Sequence, residues 1–359
     1  MTETLFEKIE IEKLPHSEAE IRGEVSATVF DESYLKALKK TSEGAEIPGF
    51  RKGHVPEKIL VEKIGSNALL HEAAEIAIAR VYGEILKTHN LDAIGRPEIA
   101  ITKLARHNPL GFKIKTALLP AVNLPDYKAI ASKEMATEEA KPEVSEKEIE
   151  EIIEQLRKNV AGVNKMKKEK AGEKAEIEEP LPVADDEFAK MLGDYKSLDD
   201  LKDKIKENLL KEKEMKAREK KRVSIAEVLI QKTEIDLPEI LITSEQSKML
   251  AQLKDDVSRQ GVSFENYLKQ IKKTEEDIRV EWRPAAEKKS KMQLILNTIA
   301  QKENLTAEKS IVLNEVKRLK EIYKDANPDG LQIFIETQLT NEKVFQFLEN
   351  SVLESESLK

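Results

Sequence analysis

Ile47-Pro48-Gly49-Phe50-Arg51-Lys52-Gly53-His54-Val55-Pro56 sets two prolines around two glycines, with a large apolar ring and two adjacent cations between them. Proline fixes φ and removes a donor, while glycine opens positive φ, so the stretch reads as a tight, shaped loop. Apolar residues at helical spacing precede it (Tyr34, Leu35, Leu38) and follow it (Ile59, Leu60, Ile64), which places the loop between two helices. A phenyl ring beside a guanidinium has the composition of an interface hot spot. An ordinary helix–helix turn with Phe50 folded into the core has the same composition, and both readings stand at this point.

Working outward, the chain has 359 residues, room for two or three domains, with 36% charged and only 4% aromatic residues. That balance suits long exposed helices better than one compact globule. Cysteine is absent, which excludes disulfides and thiolate chemistry and fits a reducing cytoplasm. The first residues are acidic and lack the apolar segment of a signal peptide, and no run of about 18 apolar residues predicts a membrane span. A net charge of −8 argues against a general nucleic-acid coat. Around the loop the sign reverses: from Lys36 to Lys58, six cations (Lys36, Lys39, Lys40, Arg51, Lys52, Lys58) face three anions (Glu43, Glu46, Glu57). A small basic patch on an acidic protein suits docking at one spot on an RNA-rich particle.

Residues 5–30 alternate in places (Phe6, Ile9, Ile11; Ile21, Val25, Ala27, Val29) and read as two strands around a turn at Pro15-His16-Ser17. Helices are expected over about 32–42, 56–64 and 66–89, a turn over 91–97, and strands over 98–122. Ser145 with Glu148 forms a capping box ahead of an apolar face at Ile149, Ile152, Ile153, Leu156 and Val160. Residues 165–179 are nearly all Lys, Glu, Ala and Gly, a solvated and partly helical linker. From Ser197 the chain reads as helix, over 198–230, 239–260, 263–273, 275–302, 307–324 and 340–354, with Thr274–Asp277 as a cap and Pro284 expected to kink or restart its helix.

Gly49-Phe50-Arg51-Lys52-Gly53 and Pro56 resemble the ribosome-docking signature of the bacterial trigger factor family, which usually has Lys or Arg where this chain has His54. Glu143-Val144-Ser145 leading into Leu156-Arg157-Lys158, Asp185 to Lys190, and Ile235-Asp236-Leu237-Pro238 extend the resemblance over roughly 1–160 and 185–355. It implies an α+β N-terminal ribosome-binding domain followed by an extended all-α C-terminal body with helical arms. The expected division is 1–130 for the ribosome-binding domain, 131–164 for a linker helix, 165–184 for the charged linker and 185–359 for the chaperone domain. Most relatives insert an FK506-binding-type prolyl-isomerase domain at the charged linker. Here about two dozen residues separate Val160 from Asp185, too few for an independent core, so that domain is expected to be absent.

The resemblance implies an ATP-independent holdase in the cytoplasm, not an enzyme, with no cofactor. Its partners would be the large ribosomal subunit at the tunnel exit, protein and rRNA, and unfolded or nascent polypeptides, with no membrane. Gly49, Gly53 and Pro56 would shape the loop, Arg51 and Lys52 would pair with phosphate or carboxylate, and Phe50 would bury its ring. Met249, Leu253, Val257, Ile295, Ile299 and Phe345 are candidates for client contact, although apolar stripes at helical spacing are usually core. A ribosome-independent dimeric holdase or assembly factor and a retained prolyl isomerase are the alternatives. No catalytic or metal site is expected. His71-Glu72 lacks the second histidine of a zinc-protease helix, and Asp325-Ala326-Asn327-Pro328-Asp329-Gly330 with Glu336 has EF-hand spacing but no second copy.

Overall fold

The computed structural model describes residues 5–45, 50–51, 53–137, 142–170, 181–324 and 326–356. The chain forms two compact units, one of residues 1–124 with 232–302, the other of 125–231 with 303–359. Each unit draws on both halves of the sequence.

In the first unit, β1 (Phe6–Leu14), β2 (Glu18–Val25), β3 (Ala93–Lys103) and β4 (Leu110–Leu118) form an antiparallel sheet in the order β1-β2-β4-β3. Period-two alternation gives it one apolar face. Ile21, Val25, Phe112 and Ile114 pack there with Phe30 and Tyr34 of α1 (Ala27–Gly44) and with Leu69, Ala73, Ala77 and Val81 of α3 (Ser66–Thr88). The opposite face is a lattice of charges: Glu18 meets Lys115 at 2.8 Å, Glu20 meets Lys113 at 2.6 Å, and Glu24 binds Lys8 at 2.7 Å and also Lys103. The bonds from Lys103 and Lys8 hold the Glu24 carboxyl down to about 2. The short helix α2 (Glu57–Ile64) sits between loop and α3.

Two boundaries differ from the sequence reading. Ala27 and Val29 belong to α1 rather than to a strand, because Phe30, Tyr34 and Ala37 reach the core only at helical spacing. β3 starts at Ala93, not after a turn ending at Pro97. Gly95, at φ 73°, and a bulge between Ile94 and Glu98 absorb the breaker residues, and an edge strand tolerates Pro97.

The first unit also holds α8 (Glu239–Arg259), α9 (Phe264–Ile271) and α10 (Glu275–Lys302). α8 and α10 run antiparallel, with Lys254 bonded to Glu275, Gln246 to the Arg279 carbonyl and Arg283 to Glu239. α10 continues through Pro284 without restarting. Pro284 lies on the exposed face, where water can serve the carbonyl left unpaired. The β1–β2 turn reaches the segment before α8: Ser17 donates its N–H to Asp236 Oδ2 (3.0 Å) and its hydroxyl to the Asp236 carbonyl (2.7 Å).

The second unit contains α4 (Tyr127–Met135), α5 (Glu146–Lys170), α6 (Asp186–Leu192), α7 (Leu198–Lys232, to Gln231), α11 (Lys309–Ile322) and α12 (Pro328–Glu356). The Ser145–Glu148 capping box forms, with Ser145 N–H donating to Glu148 (2.9 Å) and Glu148 N–H to Ser145 Oγ (3.4 Å). α5, α6 and α7 share a core of Ile149, Ile153, Phe188, Ala189, Leu201 and Ile205. α4 packs on α12 and has no period in the sequence to announce it. Its Tyr127 hydroxyl donates to Glu303 at 2.5 Å, and burial together with that carboxylate pushes the phenol up to about 12.

Candidate functional site

The loop between α1 and α2 is held from behind. Ser42, in the last turn of α1, accepts the Gly53 N–H on its carbonyl (2.9 Å) and the Val55 N–H on its hydroxyl (3.2 Å). Gly53 sits at φ 79°, a conformation in which a Cβ is strained. His54 N–H donates to the Arg51 carbonyl (3.0 Å), closing a turn, and Pro56 precedes α2 with its carbonyl accepting from Leu60 (3.1 Å). Val55 is buried beside Leu60, so the loop has an apolar root in the core of the unit.

A second brace comes from the β3–β4 connection. The Arg106 guanidinium lies 4.0 Å from the centroid of the Tyr34 ring and binds Glu57 at 2.9 Å, while the Tyr34 hydroxyl donates to the same carboxylate at 3.3 Å. Burial and the Glu57 charge raise the Tyr34 phenol above its usual range. Next to Arg106, His107 binds Asp31 through its backbone N–H (3.3 Å) and Nδ1 (2.9 Å). Burial pushes the Asp31 carboxyl up, but the His107 bonds and nearby Arg106 outweigh it and hold it below its ordinary value. Ser42, Tyr34, Arg106 and Asp31 thus position the loop. Nothing in the sequence pattern signals the long-range pairs, since Arg106 and Glu57 are far apart along the chain.

On this frame Phe50 is 41% exposed and Arg51 is exposed, so the ring is not core. Gly49 and Lys52, with Ile47 and Pro48, lie outside the described residues. Lys36, Lys39 and Lys58 are exposed, and no ion pair joins them to another described residue. Lys40 is taken up by Glu72 at 2.6 Å. Of the cations in this stretch of the sequence, Lys36, Lys39, Arg51 and Lys58 have no ion pair among the described residues, and Leu35 is exposed as well. Replacing Ser42 by alanine should leave the buried Val55 N–H without an acceptor and cost about 1–3 kcal/mol, read by urea unfolding and by faster hydrogen exchange at Val55.

The candidate client residues separate into two groups. Val257, Ile295 and Ile299 are buried in the α8–α10 hairpin and belong to its core, as helix–helix packing demands of an apolar stripe. Met249, Leu253 and Phe345 are partly exposed. The apolar side chains that do face outward have no periodic signal to mark them: Met215 and Val223 on α7, Val280 on α10, and Ile333 and Phe334 on α12. Met215, Val223 and Phe345 line a groove of about 630 Å³ between α7 and α12, together with Arg218, Arg222 and Glu342.

The calcium spacing resolves into a helix start. Asn327 Oδ1 accepts from Asp329 N–H (2.9 Å) and Gly330 N–H (3.4 Å), and α12 begins at Pro328, twelve residues before the expected boundary of 340. Glu336 pairs with Gln332 within the helix (3.1 Å), and Asp325 lies outside the described residues. Among the described residues, no group of three His, Asp or Glu side chains could hold a metal, and no helix is long and apolar enough to cross a membrane.

A helix–loop–helix on a small sheet, joined to a charge-rich helical region, is the organisation of the trigger factor class of fold. Residues 7–156 match the family model of the bacterial trigger factor protein, and 197–355 match that of its C-terminus. The chain belongs to the trigger factor family. The trigger factor of Halalkalibacterium halodurans is 26% identical, the comparison covering 90% of this chain and 92% of that protein. That of Caldicellulosiruptor saccharolyticus is 23% identical and covers 97% and 98%. This second alignment runs over 433 positions against 359 residues here, so the relative carries residues that have no counterpart in this chain. A solved chain described under promiscuous substrate recognition in the folding and assembly activities of the trigger factor chaperone shares the fold, with a TM-score of 0.53, 16% identity and coverage of 96% of this chain and 100% of that one. The family matches leave residues 157–196 between them, about 40 residues, at the lower limit for a domain that holds its own core.

Proposed function

We propose that this chain is an ATP-independent chaperone that docks beside the ribosomal tunnel exit through residues 49–56 and shields apolar segments of unfolded or nascent polypeptides. The observation that carries the reading is the half-exposed Phe50 beside exposed Arg51, on a loop braced by Ser42 and flanked in the sequence by the exposed Lys36, Lys39 and Lys58. An aromatic anchor with exposed cations around it fits a surface of phosphates and carboxylates. Family membership supports the chaperone role, and the short interval between the family matches supports a chain without isomerase activity. Its place of action is then the cytoplasm.

Client contact falls to side chains that are exposed, chiefly Met215 and Val223 with partly buried Phe345. Methionine and aliphatic side chains adapt to many partners, and each buried apolar side chain contributes only about 1.5–3 kcal/mol, so release needs no nucleotide.

Co-sedimentation with ribosomes tests the docking. Replacing Phe50, Arg51 and Lys52 by alanine should cost at least about 2 kcal/mol, a loss of binding beyond tenfold, and wild-type binding should weaken with salt. Equal binding by wild type and variant would make the loop a connector and favour a free, ribosome-independent holdase.

A further inference from the structure

Two stretches far apart in the sequence meet in the first unit: the turn Pro15-His16-Ser17 and the segment Ile235-Asp236-Leu237-Pro238 ahead of α8. Burial alternates along that segment, as in an extended chain. Thr233, Ile235 and Leu237 are buried, while Glu234 and Asp236 are exposed. Asp236 thus projects from a segment anchored on both sides, and it takes three contacts from the turn. Its Oδ2 accepts the Ser17 N–H (3.0 Å), its carbonyl accepts the Ser17 hydroxyl (2.7 Å), and its Oδ1 lies 3.3 Å from His16 Nδ1.

The turn has an unusual backbone for this task. His16 and Ser17 both lie in the left-handed region, at φ 61° and 48°, where glycine or asparagine is the usual occupant. The Ser17 carbonyl accepts the Leu118 N–H at the end of β4 (2.7 Å), which leaves the Ser17 N–H and hydroxyl for Asp236. A turn that only reverses the chain gains nothing from two strained residues, whereas the bonds to Asp236 offset that strain. Four residues beyond Asp236, the Ile240 side chain fills the space that a Cβ at Gly95 of β3 would need. Arg283 of α10 binds Glu239 through two nitrogens (2.6 and 2.7 Å), so the attachment extends to the second helix of the hairpin. Sheet and hairpin each have their own buried residues, Phe30 and Tyr34 in one, Val257, Ile295 and Ile299 in the other.

We propose that Asp236 is a positioning residue, a latch that holds the α8–α10 hairpin in one direction from the sheet and its α1–α2 loop. Its removal frees the hairpin without unfolding either body. The consequence for clients rests on the proposed function: a docked sheet presents the partly exposed Met249 and Leu253 of α8 in a constant direction only while the latch is closed.

The chain has no cysteine, so Glu62→Cys on α2 and Ala251→Cys on α8, both exposed positions, give a pair of unique spin-label sites. Pulsed electron resonance on the labelled full chain should show one narrow distance distribution, and a distinctly broader one when Asp236→Ala is added. Hydrogen exchange at the Ser17 amide should rise about tenfold or more in that variant, the effect of losing its acceptor. Asp236→Asn keeps an oxygen acceptor at the same place and should keep the narrow distribution. Asp236→Ala should retain wild-type circular dichroism and ribosome co-sedimentation, because it leaves both cores and the loop untouched, but should suppress client aggregation less well. A distribution as narrow in Asp236→Ala as in its parent would overturn the latch. So would a broad distribution in the parent or in Asp236→Asn. If Asp236→Ala does not fold, Ser17→Ala removes the hydroxyl bond from the turn side and should broaden the distribution in the same sense; no broadening there overturns the latch as well. Broad distances with undiminished suppression of aggregation would refute its role toward clients. Failure of the native chain to bind ribosomes would remove the docking reading, and the spin-label distances would still decide the latch.

Discussion

Arg222→Ala is expected to destabilise the α7–α12 contact by about 3 kcal/mol, far more than loss of a surface ion pair. Arg222 binds Glu342 through two nitrogens (2.7 and 2.8 Å) and Glu349 at 2.6 Å, and its guanidinium lies 5.4 Å from the Phe345 ring. Arg218 is a second partner of Glu349, with Nε at 2.9 Å. The Glu349 side chain is only 7% exposed, so removing Arg222 leaves a largely desolvated carboxylate with one partner in place of two. Burial pushes the Glu349 carboxyl up, but the two guanidiniums outweigh it and hold it below the ordinary value of 4.5; Glu342 is held down chiefly by Arg222. Folded carboxylates with lowered pKa values take up protons less readily than unfolded ones. Their contribution is therefore complete above about pH 4.5 and is lost as the pH falls through the folded values. Urea unfolding should show the full gap between wild type and variant at neutral pH and a much smaller one once both carboxylates are protonated. A gap that does not change with pH would mean that Arg222 acts by packing on Phe345 and not by charge.

The same network shows which parts of the fold are legible in the sequence. The sheet is, because Ile21 and Val25 on β2 and Phe112 and Ile114 on β4 alternate over a polar opposite face. The caps are, because Ser145–Glu148 and Thr274–Asp277 carry their chemistry within four residues. What sequence does not supply is partners distant along the chain. Arg222 and Glu349 are ordinary charged residues in charge-rich helices, and only the fold brings them together. Local breakers mislead where tertiary context overrides them. Pro284 lies inside α10, Gly95 and Pro97 lie inside β3, and Asn327-Pro328 opens α12 where the spacing alone also allows a calcium loop.

For the candidate site the limit is direction. The loop composition locates Phe50 and Arg51, whereas the brace beneath them, Ser42 and Arg106, depends on contacts across the domain. For client contact, helical spacing identifies a stripe but not its exposure. Val257, Ile295 and Ile299 have the spacing and are buried, while Met215 and Val280 are exposed on helices dominated by charge. Apolar periodicity reports the face a helix buries, so it selects against the residues a chaperone leaves open to its clients.

Phe188→Ala should cost about 3–5 kcal/mol, the range for emptying an aromatic site in a core. α6 has seven residues, Asp186–Leu192, too few to persist as an isolated helix. Three contacts hold its surroundings: Asp185 caps it by accepting from Glu187 N–H (3.1 Å) and Phe188 N–H (2.9 Å), Asp186 accepts from Leu198 N–H (2.8 Å), and Arg157 of α5 donates to the Pro182 carbonyl (2.5 Å). These are exposed or half-exposed bonds, worth about 0.5–1.5 kcal/mol each. The Phe188 ring is instead fully enclosed with Ile149 and Ile153 of α5 and Leu201 and Ile205 of α7. It is the plug that joins the helices on either side of the interval where a further domain is absent. Without it, hydrogen exchange over 186–192 should approach that of an unfolded segment, and the melting temperature should fall, while Phe188→Leu should restore most of both. A cost below about 1 kcal/mol with unchanged exchange would give the anchoring to the Asp185 cap instead. The consequence reaches the proposed client surface, because α7 carries Met215 and Val223 as well as Leu201 and Ile205. A chain that cannot fix α7 against α5 presents those apolar side chains in no constant arrangement, so Phe188→Ala should weaken suppression of client aggregation while leaving ribosome co-sedimentation through the α1–α2 loop intact.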